Sequence, residues 1–212
     1  MYTPPAFRED DPQALRQIMR ETRLATLVTA TAEGLMATPL PLILDENEGE
    51  HGVLYGHLAK ANLQWKAPVI GDALVIFSGP DAYVTPSWYA AKQEHGKVVP
   101  TWNYVAVHAH GPIEFFEDEA RLFDAVSRLT HLHEQPREKP WAVTDAPAEY
   151  IRAQLKGIVG LRLPISRIEG KRKMSQNRPE ADRSGVAAGL AGSERNSDHD
   201  VATMIPTGPN HA

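Results

Sequence analysis

The 212-residue chain carries 22 Lys and Arg against 27 Asp and Glu, a formal charge of −5, and 42% of its residues are hydrophobic. That balance argues against a broadly basic nucleic-acid-binding surface, and no run approaches the ~18 apolar residues of a membrane helix. The lack of cysteine excludes disulfides, thiolate metal sites, iron–sulfur clusters and cysteine nucleophiles; with no signal-peptide pattern at the N-terminus, the sequence predicts a cytoplasmic protein.

Asp11-Pro12 reads as a cap and first turn, followed by a helical stripe of Leu15, Ile18 and Met19. Strand-like runs Leu24–Ala30 and Leu35–Leu44 flank the hairpin signal Thr31-Ala32-Glu33-Gly34. Pro39 and Pro41 cannot donate ladder hydrogen bonds, so the second strand is predicted at an edge or with a bulge. A strand over Gly52–His57 and a short helix over Ala61–Lys66 come next. Ala73–Phe77 and Ala82–Thr85 read as two strands turning at Ser78-Gly79-Pro80-Asp81. A strand reaching Phe116 leads into an amphipathic helix over Glu117–His131, with Leu122, Phe123, Val126 and Leu129 on one side. A helix near Ala148–Leu155, a strand over Ile158–Ile168 and a small helix over Asp182–Leu190 complete the pattern. Short strands with a few helices point to a mainly β, α+β chain built as a barrel with helical additions. Residues 1–192 are expected to form one domain with a C-terminal helical extension. Residues 193–212, polar and punctuated by Gly and Pro, are expected to be a flexible tail whose deletion is tolerated.

The most informative segment is Val99–Gly111. In an extended chain Trp102, Tyr104, Ala106, His108 and His110 point one way, and Asn103, Val105, Val107 and Ala109 the other. Aromatic bodies mixed with hydrogen-bonding tips suit a planar ligand that needs a stacking surface and edge contacts; a buried core strand explains the tryptophan equally well. His108 and His110 share a face, but two ligands alone make an incomplete metal site. His131-Leu132-His133-Glu134 reads as a surface pair at a helix end. No G-x-S-x-G, H-E-x-x-H, P-loop or G-x-G-x-x-G pattern is present, so hydrolase and Rossmann readings find no support. His57 and Lys60 stand where a strand meets a helix start, a place where backbone N–H groups and a lysine hold phosphate. Trp102, Asn103, Gln176, Asn177, Thr38 and Lys173 offer an aromatic wall, amide edges, and cationic or hydroxyl groups, the chemical types that suit a planar ligand with an anionic group.

Near the C-terminus Gly170–Pro179 is dense in donors and almost free of apolar residues. Met1–Phe7, Gly56–Trp65, Val99–Gly111 and Lys173–Arg178, in that order, together resemble the PaiB-type family of FMN-binding negative transcriptional regulators, a branch of the flavin-reductase-like split barrels. Leu63 departs from the pattern, which has proline after the asparagine. The resemblance implies an FMN-binding split β-barrel, a homodimer with its flavin groove between subunits, and repression of genes directly or through a partner protein. It makes Lys60 the leading contact for the FMN phosphate. The helices ending near His131 and starting near Ala148 are too far apart for a helix-turn-helix, whose turn spans about 3–4 residues, so DNA binding rests on the resemblance alone. An FMN-dependent oxidoreductase using NAD(P)H and a haem-binding barrel with His57 or His108 on the iron are the competing readings.

Overall fold

The computed structural model describes residues 1–208. In chain order the strands are β1 (Arg8–Glu9), β2 (Ala25–Thr31), β3 (Gly34–Leu40), β4 (Ile43–Asp45), β5 (Val53–Ala59), β6 (Ala73–Val84), β7 (Thr101–Gly111), β8 (Glu114–Phe116), β9 (Ile158–Pro164) and β10 (Arg167–Lys173). The helices are α1 (Pro12–Glu21), α2 (Ala91–His95), α3 (Glu119–Glu134), α4 (Ala148–Leu155), α5 (Glu180–Ala191) and α6 (Asn196–Met204). The strands form a six-stranded sheet, ordered β1-β10-β7-β6-β2-β3, and a four-stranded sheet, ordered β4-β5-β9-β8, neither closed on itself. The mainly antiparallel α+β class follows.

The chain folds into two compact units. The first comprises Met1–Leu15, Ser78–Val107 and the chain from Glu169 onward; the second comprises Arg16–Phe77 and His108–Ile168. In the second unit β2 and β3 form the expected hairpin, paired from Ala25 opposite Leu40 to Thr31 opposite Gly34. Gly34 sits at φ +122°, a region L-residues avoid, and Thr31 Oγ1 donates to its carbonyl at 2.9 Å. β3 is the sheet's last strand, which is where Pro39 can lack its N–H without breaking a ladder. The predicted Leu35–Leu44 strand is in fact two, because Pro41 ends β3 and the chain restarts as β4 in the other sheet. Buried Leu54, Leu58, Val159, Leu161 and Leu163 form the inner face of β5 and β9. On the opposite side α3 and α4 bring Leu122 and Leu155 against Phe116, with Phe123, Val126, Ile151 and Ile158 packed around them.

Three further expectations are corrected. Ala73–Val84 is one continuous strand. Its buried positions are Ala73, Val75 and Phe77 before the Ser-Gly-Pro-Asp run, and Ala82 and Val84 after it. The run therefore marks a change of side-chain phase rather than a turn. Ile158–Ile168 divides at Pro164 into β9 and β10, which belong to different sheets. The segment after Ser193 holds α6, with Val201 fully buried and Ile205 nearly so; residues 209–212 of the expected tail lie outside the described residues. In the first unit Trp88 lies over Gly185 and Gly189 of α5, where any Cβ would come within 2.1 and 2.3 Å of its atoms.

Candidate functional site

In the first unit β7 has the alternation read from the sequence: Asn103, Val105 and Val107 are buried, and Trp102, Tyr104 and Ala106 are not. Beside it β10 carries Lys171 and Lys173, two residues apart and so on one side of the strand. The Lys171 ammonium lies 5.1 Å from the Tyr104 ring and 5.7 Å from the Tyr2 ring, and donates to the Tyr2 carbonyl at 3.1 Å. The Lys173 ammonium donates to the Trp102 carbonyl at 2.8 Å and to Thr101 Oγ1, with Phe7 6.0 Å away. Arg178 stacks over Tyr89 at 4.8 Å. Trp102, 44% exposed, donates its ring N–H to Asp81 at 2.9 Å and lies 5.9 Å from Tyr83, itself 47% exposed.

Among the described residues, Lys171, Lys173 and Arg178 have no carboxylate within ion-pair distance. Burial, and then the like charges of Lys171 and Arg178, hold the Lys173 ammonium below the ordinary lysine value. Such a concentration of uncompensated positive charge against aromatic rings is stabilised by an anion, and most by one attached to a planar ring system.

The loop after β10 is held by its own polar groups. Ser175 adopts φ +58° and is buried, and the fully buried Asn103 donates to its hydroxyl at 3.0 Å. The Gln176 side chain accepts from Met174 N–H at 2.6 Å and donates to the Arg172 carbonyl. Asn103 and Gln176, read from sequence as flavin-contacting amides, thus hold the loop that carries Arg178, while Asn177 is exposed. Tyr104, Lys171 and Arg178 stood in segments singled out in the sequence but were not chosen as site residues, and Tyr89 was passed over; the Lys-x-Lys alternation of β10 beside an aromatic strand was the available signal for Lys171.

The remaining predicted site residues lie in the second unit. The helix expected at Ala61–Lys66 is only a single 3₁₀ turn, Leu63–Trp65, capped by Asn62, whose side chain accepts from Gln64 N–H at 2.9 Å. It is too short to supply a helix dipole for a phosphate. Fully buried Gln64 donates to Thr29 Oγ1 at 3.0 Å and to the Met36 carbonyl at 3.2 Å, and accepts from Thr38 at 2.6 Å. Thr38 also accepts from Asn62 at 2.9 Å, so its hydroxyl ties this turn to the edge strand. Lys60 pairs with Glu117, both about half exposed. His57 faces α3 and α4; its Nδ1 is buried without a hydrogen-bond partner among the described residues, and burial pushes its imidazole below the usual histidine value.

Comparison with known proteins now bears on this arrangement. Residues 1–167 match the protein family described as "Putative FMN-binding domain". The chain belongs to this FMN-binding family. It is 31% identical to the protease synthase and sporulation protein PAI 2 of Bacillus subtilis, covering 97% of this chain and 96% of that protein. An uncharacterized protein of Emericella nidulans is 35% identical, with 90% of each chain covered. Among solved structures, the FAD and heme binding protein from Mycobacterium smegmatis superposes with a TM-score of 0.56 at 16% identity, covering 78% of this chain and 73% of that one. The flavocytochrome Anf3 from Azotobacter vinelandii gives 0.55 at 18% identity, covering 79% and 69%. The fold is that of the flavin-binding split barrels. FMN, when bound, supplies a redox-active isoalloxazine ring and a phosphate. The aromatic, cation-rich face of the first unit fits both. No helix among the described residues is long and apolar enough to cross a membrane.

Proposed function

We propose that this protein is an FMN-binding negative regulator of the PaiB type, working as a homodimer, that senses flavin or its redox state and represses genes directly or through a partner. Lys171, Lys173 and Arg178 take the flavin phosphate, Trp102 and Tyr104 offer ring surface, and Asn103 and Gln176 keep the Arg178 loop in place. The observation that carries this reading is the set of three cations without carboxylate partners, packed on Tyr104, Phe7 and Tyr89. Ammonium and guanidinium groups bind and orient a phosphate through charge-assisted hydrogen bonds.

Repression through a partner protein draws support from α5 and α6. They are joined by four residues, Gly192–Arg195, the spacing of a helix-turn-helix. Yet α6, with the sequence NSDHDVATM, has Asp198 and Asp200 and no Lys or Arg to meet DNA phosphates. The test is the absorption spectrum of the freshly purified protein, with the chromophore identified after denaturation and NAD(P)H consumption assayed on the same sample. A flavin spectrum, released FMN and no steady NAD(P)H turnover are expected. Sustained turnover would establish the oxidoreductase reading, and a haem spectrum would overturn both.

A further inference from the structure

On the reading that Lys171, Lys173 and Arg178 take the flavin phosphate, we propose that Arg183 is a positioning residue for that site, and that docking of the C-terminal segment, α6 through Gly208, raises the affinity for FMN. Arg183 stands on α5 and is 1% exposed. Its guanidinium donates in two directions. It reaches the carbonyls of Pro206, at 2.6 Å, and Gly208 in the C-terminal segment, and the carbonyl of Arg178, at 2.9 Å. A second anchor lies on β10, where Arg172, between Lys171 and Lys173, donates to the Met204 carbonyl at 3.4 Å. Both anchors of the segment thus adjoin a phosphate cation.

The backbone at Arg178 determines where its side chain can reach. Its N–H donates to the Ser175 carbonyl at 2.9 Å, the following Pro179 favours an extended conformation, and Arg183 holds its carbonyl. A guanidinium fixed before the ligand arrives loses less freedom on binding. The segment that holds Arg183 in turn is lightly packed: from Asn196 to Gly208 it buries only Asp198, Val201 and Ile205. Few buried apolar contacts put such a segment at the low end of local stability. Opening it withdraws the Pro206 and Gly208 carbonyls from a buried guanidinium, which then leaves Arg178 to reach water. By linkage, phosphate binding and docking strengthen each other by the same factor. A flavin without phosphate leaves docking as it is.

Hydrogen exchange of the α6 amides, followed by mass spectrometry on the unaltered protein with FMN and with riboflavin, tests this coupling and needs no variant to fold. Each ligand is supplied at the same multiple of its own dissociation constant, which equalises the general stabilisation by binding. FMN is expected to slow α6 exchange ~fivefold or more beyond riboflavin, the lower end of coupling between sites, while α3 exchanges alike with both. Arg183→Lys keeps the charge and loses the fork. It is expected to weaken FMN binding ~fivefold with riboflavin affinity unchanged, and to erase the α6 difference. A purely structural role would lower the melting temperature and leave the preference for FMN as it was. Equal α6 exchange with the two ligands, or an undiminished preference for FMN in Arg183→Lys, would overturn the coupling alone. An unaltered protein that binds riboflavin as tightly as FMN would overturn the phosphate reading and the coupling with it.

Discussion

His57 shows how one buried group links local packing to the stability of the whole. In the unfolded chain its imidazole titrates near 6.5, and burial lowers that value in the folded protein. Between the folded value and 6.5 the unfolded state binds more protons, so this contribution is complete above 6.5 and is lost as the pH falls. Melting temperatures measured from pH 7.5 down to 5.5 are expected to decline, and His57→Leu to flatten that decline. Glu48, held by Arg162 and then Tyr55, and Glu114, held by Arg121, are carboxylates kept below 4.5, so their loss falls in a separate, more acidic window. Ser175 offers a second residue-scale test. Ser175→Ala leaves buried Asn103 without its partner and keeps the left-handed strain, at a cost of about 1–3 kcal/mol. Ser175→Gly is expected to cost less, because glycine adopts φ +58° freely. Urea denaturation distinguishes the two. The residue types at Asn103 and Gln176 were legible in the sequence; their use was not. Whether an amide faces a ligand or its own loop depends on which backbone groups the turn leaves unpaired.

At the scale of elements, the sequence could be read wherever periodicity and caps agreed. Asp11 caps α1 by accepting from Gln13 N–H at 3.1 Å, and α3 begins after Asp118, which accepts from Arg121 N–H at 2.9 Å. The readings failed where turn-type residues serve another purpose. Ser78–Asp81 shifts the phase of β6, at the boundary between the two units, and Gly79 there admits Val105, 3.1 Å from where its Cβ would stand. The C-terminal segment was the largest miss, because α6 buries only Asp198 and Val201, with Ile205 buried just beyond its end, a pattern too sparse to register as a stripe. Arg183 supplies what periodicity could not show. It is 1% exposed and donates to the carbonyls of Pro206, at 2.6 Å, and Arg178, at 2.9 Å. Removing its guanidinium leaves those carbonyls unpaired, so Arg183→Ala is expected to cost about 3 kcal/mol and to expose the chain after Ser193 to protease. Truncation after Ser193, harmless on composition alone, is now expected to destabilise the protein measurably in thermal melts.

For the whole molecule, the family and the split-barrel fold were legible because four separated segments kept their order and chemistry. The site was legible only in part. The eight residues chosen by chemical type fall in both units: Thr38, His57 and Lys60 in the second, Trp102, Asn103, Lys173, Gln176 and Asn177 in the first. Sequence separation carries no information on which of them share a surface. Sedimentation at micromolar concentration is expected to give a homodimer, and a monomer would remove the shared-groove form of the proposal. The central claim is that Lys171, Lys173 and Arg178 recognise the flavin through its phosphate. The most direct measurement is the dissociation constant of FMN against that of riboflavin, which lacks the phosphate, for the wild type and Lys173→Ala. A charge-assisted hydrogen bond supplies about 1.5–3 kcal/mol, so the wild type is predicted to favour FMN by at least ~tenfold and Lys173→Ala to lose most of that preference, with riboflavin affinity nearly unchanged. An undiminished preference for FMN in Lys173→Ala would contradict the account and place the phosphate elsewhere.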